Sequence, residues 1–334
     1  MITALEFAVC AAVILLAGSR LSRCAELIAE KSGISKGWVG LVLLAMMTAM
    51  SQLVASLSAA VVHDLPDMAV SGLIGSCMFN LMVIGLLDLT SKDRPVSYRV
   101  HEGHILSVGF GIVLIGLAAI DMLIGRKLPV LTWAHAMDPI TVAFVPIYLL
   151  AMRLTFRFER ARLRQFEEEE AAVEAGSHSW LKLISTFLVC ALCIVAASYY
   201  LPALAGQIAA MTGWGESFIG GSFIAITTCL PELAVAVSAA GRGAFDMAVA
   251  SLLGSNLCYM VIFAVTDFCY TREPLLRHVS VTDGLMALGA MISMGIVVIA
   301  LTYRSEKKIA FIAGDAIALI FVYVLANVLA FMAH

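Results

Sequence analysis

Ten apolar runs, each about the 20 residues that a helix needs to cross hydrocarbon, constrain this chain more than anything else in it. They lie near 3–19, 37–61, 67–89, 103–125, 136–153, 181–204, 216–240, 245–268, 280–302 and 309–332. Inside a bilayer every backbone N–H and C=O must find its partner within the protein, so a span is a helix or part of a closed barrel. These runs are continuous rather than alternating, which selects helices. The sequence therefore predicts an all-α integral membrane protein with ten transmembrane helices. Composition agrees: 61% of residues are hydrophobic and 13% charged, against about 25% charged in a soluble domain. A net charge of −3 points to no nucleic-acid partner; the lipid bilayer is the expected surrounding.

Basic residues orient the spans. All 21 Lys and Arg fall at the ends of the runs or between them. Seventeen lie in the odd-numbered connections; only Arg126, Lys127, Arg272 and Arg277 lie in the even-numbered ones. Lys and Arg are retained on the cytoplasmic side, so both termini are expected outside the cytoplasm and the long central connection inside. That connection carries Arg157 to Arg164 and then Glu167 to Glu170. It reads as a solvated helix extending the fifth span, with a lipid-binding segment as the alternative. Met1–Gly18 lacks a basic leader and reads as a first span, not a cleaved signal. With short loops and no targeting signal, a prokaryotic inner (cell) membrane is expected. The eight cysteines lie mostly in apolar runs and read as small buried hydrophobes, including the Cys190/Cys193 pair.

One run breaks the apolar rule. Within Phe218–Ala240 stands Thr227-Thr228-Cys229-Leu230-Pro231-Glu232. A carboxylate at mid-bilayer costs about 2.5–3.5 kcal/mol on insertion scales. Pro231 removes a helix donor and crowds the carbonyl four residues back. A charge beside a helix breaker in hydrocarbon is the pattern of an ion or substrate site on an interrupted helix.

The two halves of the chain repeat. Gly40-Leu41 through Thr48-Ala49-Met50-Ser51-Gln52-Leu53 aligns with Gly220-Gly221 through Thr228-Cys229-Leu230-Pro231-Glu232-Leu233. Ser58-Ala59-Ala60 matches Ser238-Ala239-Ala240, Asp67-Met68-Ala69-Val70 matches Asp246-Met247-Ala248-Val249, and Gly75-Ser76 matches Gly254-Ser255. Each half holds five spans. An odd number turns the second copy upside down, giving inverted repeats about an axis in the membrane plane. The expected division is a first five-helix repeat over 1–153 (its core 37–89), a connecting segment over 154–180, and a second repeat over 181–334 (its core 216–268).

The paired segments Gly40–Leu86 and Gly220–Val265 resemble the two α-repeats of the cation/calcium exchanger superfamily, the sodium/calcium exchanger-like proteins. Those repeats read G-T-S-x-P-E on one helix and G-S-N-x-x-N/D on the next. The resemblance covers essentially the whole chain. The second repeat carries it in T-x-x-P-E and Gly254-Ser255-Asn256; the first carries it by register and Gly75-Ser76. It implies a secondary active antiporter that binds small inorganic cations between the repeats by alternating access. The implied oxygen ligands are Glu232, Gln52, Thr48, Thr228, Ser76, Ser255, Asn80 and Asn256, suited to hard cations. The transported cation (Na⁺, Ca²⁺, K⁺ or H⁺) is then substrate, and no cofactor is expected.

Several positions depart from the family pattern. Gln52 stands in place of the first glutamate, Ala49 and Cys229 in place of serines, and Ser51 in place of proline. Cys77 replaces the first Asn of GSN, and Tyr259 the second Asn/Asp, where it either offers a phenol or fills space. Two carboxylates neutralise one Ca²⁺, whereas one leaves a net charge in a low-dielectric site. Weakened Ca²⁺ binding, and exchange of a monovalent cation or a proton, follow.

Structural readings stand beside the functional ones. Glu232 pairing with Gln52 would lock two broken helices. The small hydroxyl residues would serve as helix–helix glue, and Gly75-Ser76 and Gly254-Ser255 as close-packing points. Asp67 and Asp246 read as helix caps, Asp138 as an N-cap before Pro139, and His101 and His104 as surface or interfacial histidines. The losses at Gln52, Ala49, Cys229 and Tyr259 also fit a transport-inactive relative acting as a structural or regulatory subunit. No motif of an intramembrane enzyme is present in the sequence.

Overall fold

The structure is a computed structural model, and it describes residues 2–32, 49–91, 93–124, 138–166, 179–272, 274–309 and 311–333. Its long helices are α1 (Ile2–Ser32), α2 (Ala49–Val62), α3 (Pro66–Leu87), α4 (His104–Ile124), α5 (Pro139–Phe166), α6 (Trp180–Thr212), α7a (Glu216–Thr228), α7b (Leu230–Gly241), α8 (Phe245–Cys269), α9 (Val281–Tyr303) and α10 (Gly314–Met332). Among the described residues, seven helices are long and apolar enough to cross a membrane, and the bent pair α7a/α7b makes an eighth. The shorter apolar helices Ala49–Val62 and Pro139–Thr155 fall on the two remaining expected spans. Helix α5 continues to Phe166, so the fifth span does extend into the central connection.

Prolines mark the starts. Pro66 and Pro139 open α3 and α5, where a missing N–H costs nothing. Asp138 Oδ1 accepts the Ile140 N–H at 2.8 Å, as an N-cap should. Pro231 lies in the first turn of α7b. The break falls just before it: Cys229 leaves helical geometry (φ −88°, ψ 1°), and the two halves of the span meet at a bend of 48°.

Helices α3 and α8 form the centre. In their most apolar stretches 89% and 72% of residues are buried, against 22% for α1 and 28% for α6. Helix α3 packs against α7a, α8, α9 and α10, while α1 and α6 lie together at the periphery, with α1 running along α7b. The apolar residues left exposed on α1 and α6 (Leu5, Leu16, Leu181, Leu192) suit lipid, not water.

Glycines let α3 and α7a touch backbone to backbone. A Cβ on Gly75 would come 2.2 Å from Gly221 O, and one on Gly220 would come 2.1 Å from Ser71 Oγ. This is the small-residue contact by which membrane helices approach closely. Gly254 differs from its counterpart Gly75: a Cβ there meets no described atom within 4 Å. The expected close-packing point is present at Gly75; Gly40 and Leu41, which align with Gly220 and Gly221, lie outside the described residues.

The inverted repeat is visible in matched hydrogen bonds of the two halves. Asp67 Oδ1 accepts the Ser280 N–H at 2.9 Å, and Asp246 Oδ1 accepts the His101 N–H at 2.8 Å. Asp88 accepts the N–H groups of Val96 (2.8 Å) and Ala313 (2.7 Å). Its counterpart Asp267 accepts those of Leu275 (2.6 Å) and Asp138 (3.0 Å), together with the Thr141 hydroxyl. In each case an aspartate of one half holds the start of a helix of the other half. Asp67 and Asp246 thus brace the opposite repeat, beyond the capping of their own helices expected from sequence. His104 is also corrected: it is buried, not superficial, with Nε2 3.1 Å from Asp246 Oδ1.

Candidate functional site

The break at Cys229 turns Thr228 and Glu232 toward α3 and α8. Glu232, Gln52, Thr228, Ser76, Ser255, Asn80 and Asn256 are all at most 2% exposed. Thr48, the eighth residue implied by the resemblance, lies outside the described residues.

Three groups of contacts organise them. Gln52 Oε1 accepts hydrogen bonds from Ser76 Oγ at 2.9 Å and Thr228 Oγ1 at 2.5 Å, joining α2, α3 and α7a. Across the repeats Asn80 Nδ2 donates to Asn256 Oδ1 at 2.9 Å, and Asn256 Nδ2 donates to Cys77 O at 3.2 Å. Glu232 Oε1 accepts the Tyr259 hydroxyl hydrogen at 2.9 Å, and that hydroxyl lies 3.4 Å from Cys229 Sγ. Cys229 Sγ in turn lies 3.9 Å from Ser76 O, connecting the carboxylate group to the Gln52 group. Asn256 and Cys77, facing each other through the second group, are repeat counterparts.

Two oxygens stand apart. Ser255 Oγ and Asn80 Oδ1 are fully buried and accept no hydrogen bond from a described residue. Buried polar atoms are ordinarily paired, and an exception calls for a ligand or a water. The oxygens here are amide, hydroxyl, carbonyl and one carboxylate, the donor set of a hard cation.

Sequence reasoning did not assign roles to Ser51 and to the Ser56/Thr266 pair. Ser51 Oγ donates to Thr228 O at 2.8 Å, and Ser56 Oγ lies 2.9 Å from Thr266 Oγ1. Ser51 is the register partner of Pro231, and its hydroxyl reaches a carbonyl next to the break from the other repeat.

A helical membrane bundle of inverted repeats, with an oxygen-lined break at its centre, defines the class of ion-exchanging membrane proteins. The sequence profile of the family described as "Sodium/calcium exchanger protein" matches residues 2–156 and 182–332, and the chain belongs to that family. The chain is 26% identical over 253 residues to inner membrane protein YrbG of Escherichia coli strain K12, covering 75% of this chain and 74% of that one. Its fold matches the crystal structure of the H⁺/Ca²⁺ exchanger CAX with a TM-score of 0.69 at 13% identity, covering 99% of this chain and 86% of that one. It also matches the sodium-calcium exchanger NCX_Mj with a TM-score of 0.62 at 17% identity, covering 98% and 97%. Both likenesses are of fold.

Proposed function

We propose that the protein is a secondary active cation antiporter of the sodium/calcium exchanger type. By alternating access, it moves a cation bound at mid-membrane between the two inverted repeats. The observation that carries this reading is the buried oxygen cluster around Glu232, with Ser255 Oγ and Asn80 Oδ1 unmatched by any described donor. The eight oxygen-bearing residues Glu232, Gln52, Thr48, Thr228, Ser76, Ser255, Asn80 and Asn256 are its ligand set. With Gln52 neutral, the set holds one negative charge. It suits one monovalent cation, or one proton, by turns, and holds Ca²⁺ weakly.

The distribution of Lys and Arg supports a cytoplasmic central connection with both termini outside. Likeness to an inner membrane protein supports that membrane as its place. A family match in two segments, 2–156 and 182–332, supports a division into two repeats near 153 and 181.

Purified protein in proteoliposomes tests the reading. With Na⁺, K⁺, Ca²⁺ and H⁺ gradients imposed in turn, wild type should exchange at least one cation and Glu232→Gln should not. Flux of no ion under any gradient would sink the reading.

A transport-inactive, structural role is the second reading, and one observation favours it. Tyr259 already holds Glu232 Oε1, while Ser76 and Thr228 already occupy Gln52 Oε1. A network satisfied in this way locks the broken helix without a cation.

A further inference from the structure

The two halves of the repeat differ at the ends of α3 and α8. Around Asp88, where α3 ends, lies a cavity of about 20 Å³ whose lining includes Ile84, Gly85, Asp88, Ser97 and Asp315. A void of about 10–15 Å³ is enough to hold one water-sized guest. Around Asp267, the counterpart of Asp88, the matching residues are bulkier: Phe263 stands for Ile84, Ala264 for Gly85 and Leu276 for Ser97. All three are at most 3% exposed, and Phe263 packs against Phe144 with ring centroids 5.9 Å apart. One half fills this position with apolar side chains, and the other keeps a space there.

That space has polar walls. Ser97, in the short helix Val96–Arg99, is 7% exposed, and its Oγ is buried with no hydrogen-bond partner among the described residues. Buried hydroxyls are ordinarily paired, and an exception points to a ligand or a water. Asp315, in the first turn of α10, is half-buried and forms no hydrogen bond or ion pair with a described residue. Capping does not account for it. The Ala313 N–H that opens α10 goes to Asp88 Oδ2, whereas at the start of α5 Asp138 Oδ1 holds the Ile140 N–H. Gly85 lets this part of α10 come close to α3: a Cβ there would lie 3.0 Å from Ala316 O.

The charges around the cavity do not cancel. Lys308 Nζ lies 3.1 Å from Asp88 Oδ2 and neutralises that carboxylate. Asp315 is left as one net negative charge beside a void the size of one water. We propose that Asp315 and Ser97 bind a single Na⁺ ion in this cavity, as a site separate from Glu232. Carboxylate and hydroxyl oxygens suit a hard cation. One net charge matches a monovalent ion, whereas a divalent one would leave a positive charge in a low-dielectric site. The small volume favours Na⁺ over the larger K⁺. Asn80, Ile84 and Asp88 follow one another at four-residue steps on α3, each a rise of about 6 Å. The cavity therefore lies on the face of α3 that carries Asn80, toward the end that is cytoplasmic under the proposed orientation.

Binding of radiolabelled Na⁺ to the full-length protein in detergent tests the proposal. Every variant carries Glu232→Gln, so the result is independent of the central carboxylate. Glu232→Gln alone should bind Na⁺ saturably, with excess K⁺ a poor competitor. Adding Asp315→Asn, which is nearly isosteric, should weaken that binding at least tenfold. Adding Ser97→Leu places the side chain of the other half in the cavity and should abolish it. Size-exclusion elution checks that each variant is folded, and Asp315→Asn decides the matter even if Ser97→Leu does not fold. No saturable Na⁺ binding by Glu232→Gln overturns the proposal. So does an Asp315→Asn titration equal to that of its Glu232→Gln parent, which would mean that the cavity holds water alone.

Discussion

Tyr259 donates its hydroxyl hydrogen to Glu232 Oε1 at 2.9 Å, both side chains being fully buried at the break in the seventh span. The phenol satisfies one oxygen of the buried carboxylate. A hydrogen bond to a charged group is worth about 1.5–3 kcal/mol. Tyr259→Phe removes it with little change in volume. Without cations its melting temperature should fall, because Glu232 is left less satisfied. The freed carboxylate should then bind a monovalent cation about tenfold more tightly, measured by calorimetry or by the apparent affinity of flux. Weaker binding instead would show that the phenol oxygen is itself a ligand.

Gln52 is the neutral partner of Glu232 across the repeats, held by Ser76 and Thr228. Gln52→Glu adds a second carboxylate to the buried cluster. At an effective dielectric near 20, a unit charge 4 Å away contributes on the order of 4 kcal/mol, and desolvation offsets part of that. We expect Ca²⁺ binding to tighten roughly a hundredfold, and stability without Ca²⁺ to fall. Radiolabelled Ca²⁺ binding and a melting curve with and without Ca²⁺ read the two effects. Unchanged Ca²⁺ affinity would show that charge at this position does not set divalent binding.

The break at Cys229 was legible because Pro231 and Glu232 each conflict with a continuous span. The repeat was legible because small and acidic residues recur in register. What those residues touch was not legible. Asp67 and Asp246 align in sequence, but their partners Ser280 and His101 are distant in the chain and donate only backbone N–H groups, which leave no side-chain signature. His104 sits at a run end and reads as superficial, yet it is buried with Nε2 3.1 Å from Asp246 Oδ1. Tyr259 allowed two readings, offering a phenol to the site or filling space; its hydrogen bond to Glu232 at 2.9 Å was not legible in the sequence.

That glycine crossing gives a third prediction. Gly75→Ala places a methyl 2.2 Å from Gly221 O, so α3 and α7a must separate. Overpacking of this kind costs about 1–3 kcal/mol. It should also lower transport, because Ser76 is the next residue and Thr228 ends α7a. Gly109→Ala, in α4, meets nothing within 4 Å and should be neutral or stabilising. Thermal unfolding followed by size-exclusion elution ranks the two; a Gly75→Ala protein as stable as Gly109→Ala would show that the α3/α7a crossing tolerates a methyl group.

The matched braces Asp88 and Asp267 allow a test of what a buried charge adds to an otherwise shared architecture. Each accepts the N–H that opens a helix of the other half, together with an N–H eight residues ahead of it. Asp88 differs in one respect. Lys308 Nζ lies 3.1 Å from its Oδ2 and also donates to the carbonyls of Asp88 and Ser91, with the Lys308 side chain 7% exposed. Asp267 has the neutral Thr141 hydroxyl in that role. Both alanine variants strand backbone donors, at about 1–3 kcal/mol for each buried group left unpaired. Asp88→Ala in addition leaves a nearly buried ammonium without its carboxylate, and breaking a buried pair from one side costs about 3–5 kcal/mol. Asp88→Ala should therefore be the more destabilising of the two. Adding Lys308→Met should recover part of the loss in the Asp88→Ala background, since it removes the stranded charge, and should recover nothing in the Asp267→Ala background. Melting temperatures of the four variants in one detergent check this. Equal losses at Asp88 and Asp267, unaffected by Lys308→Met, would mean that the two braces act through backbone hydrogen bonds alone.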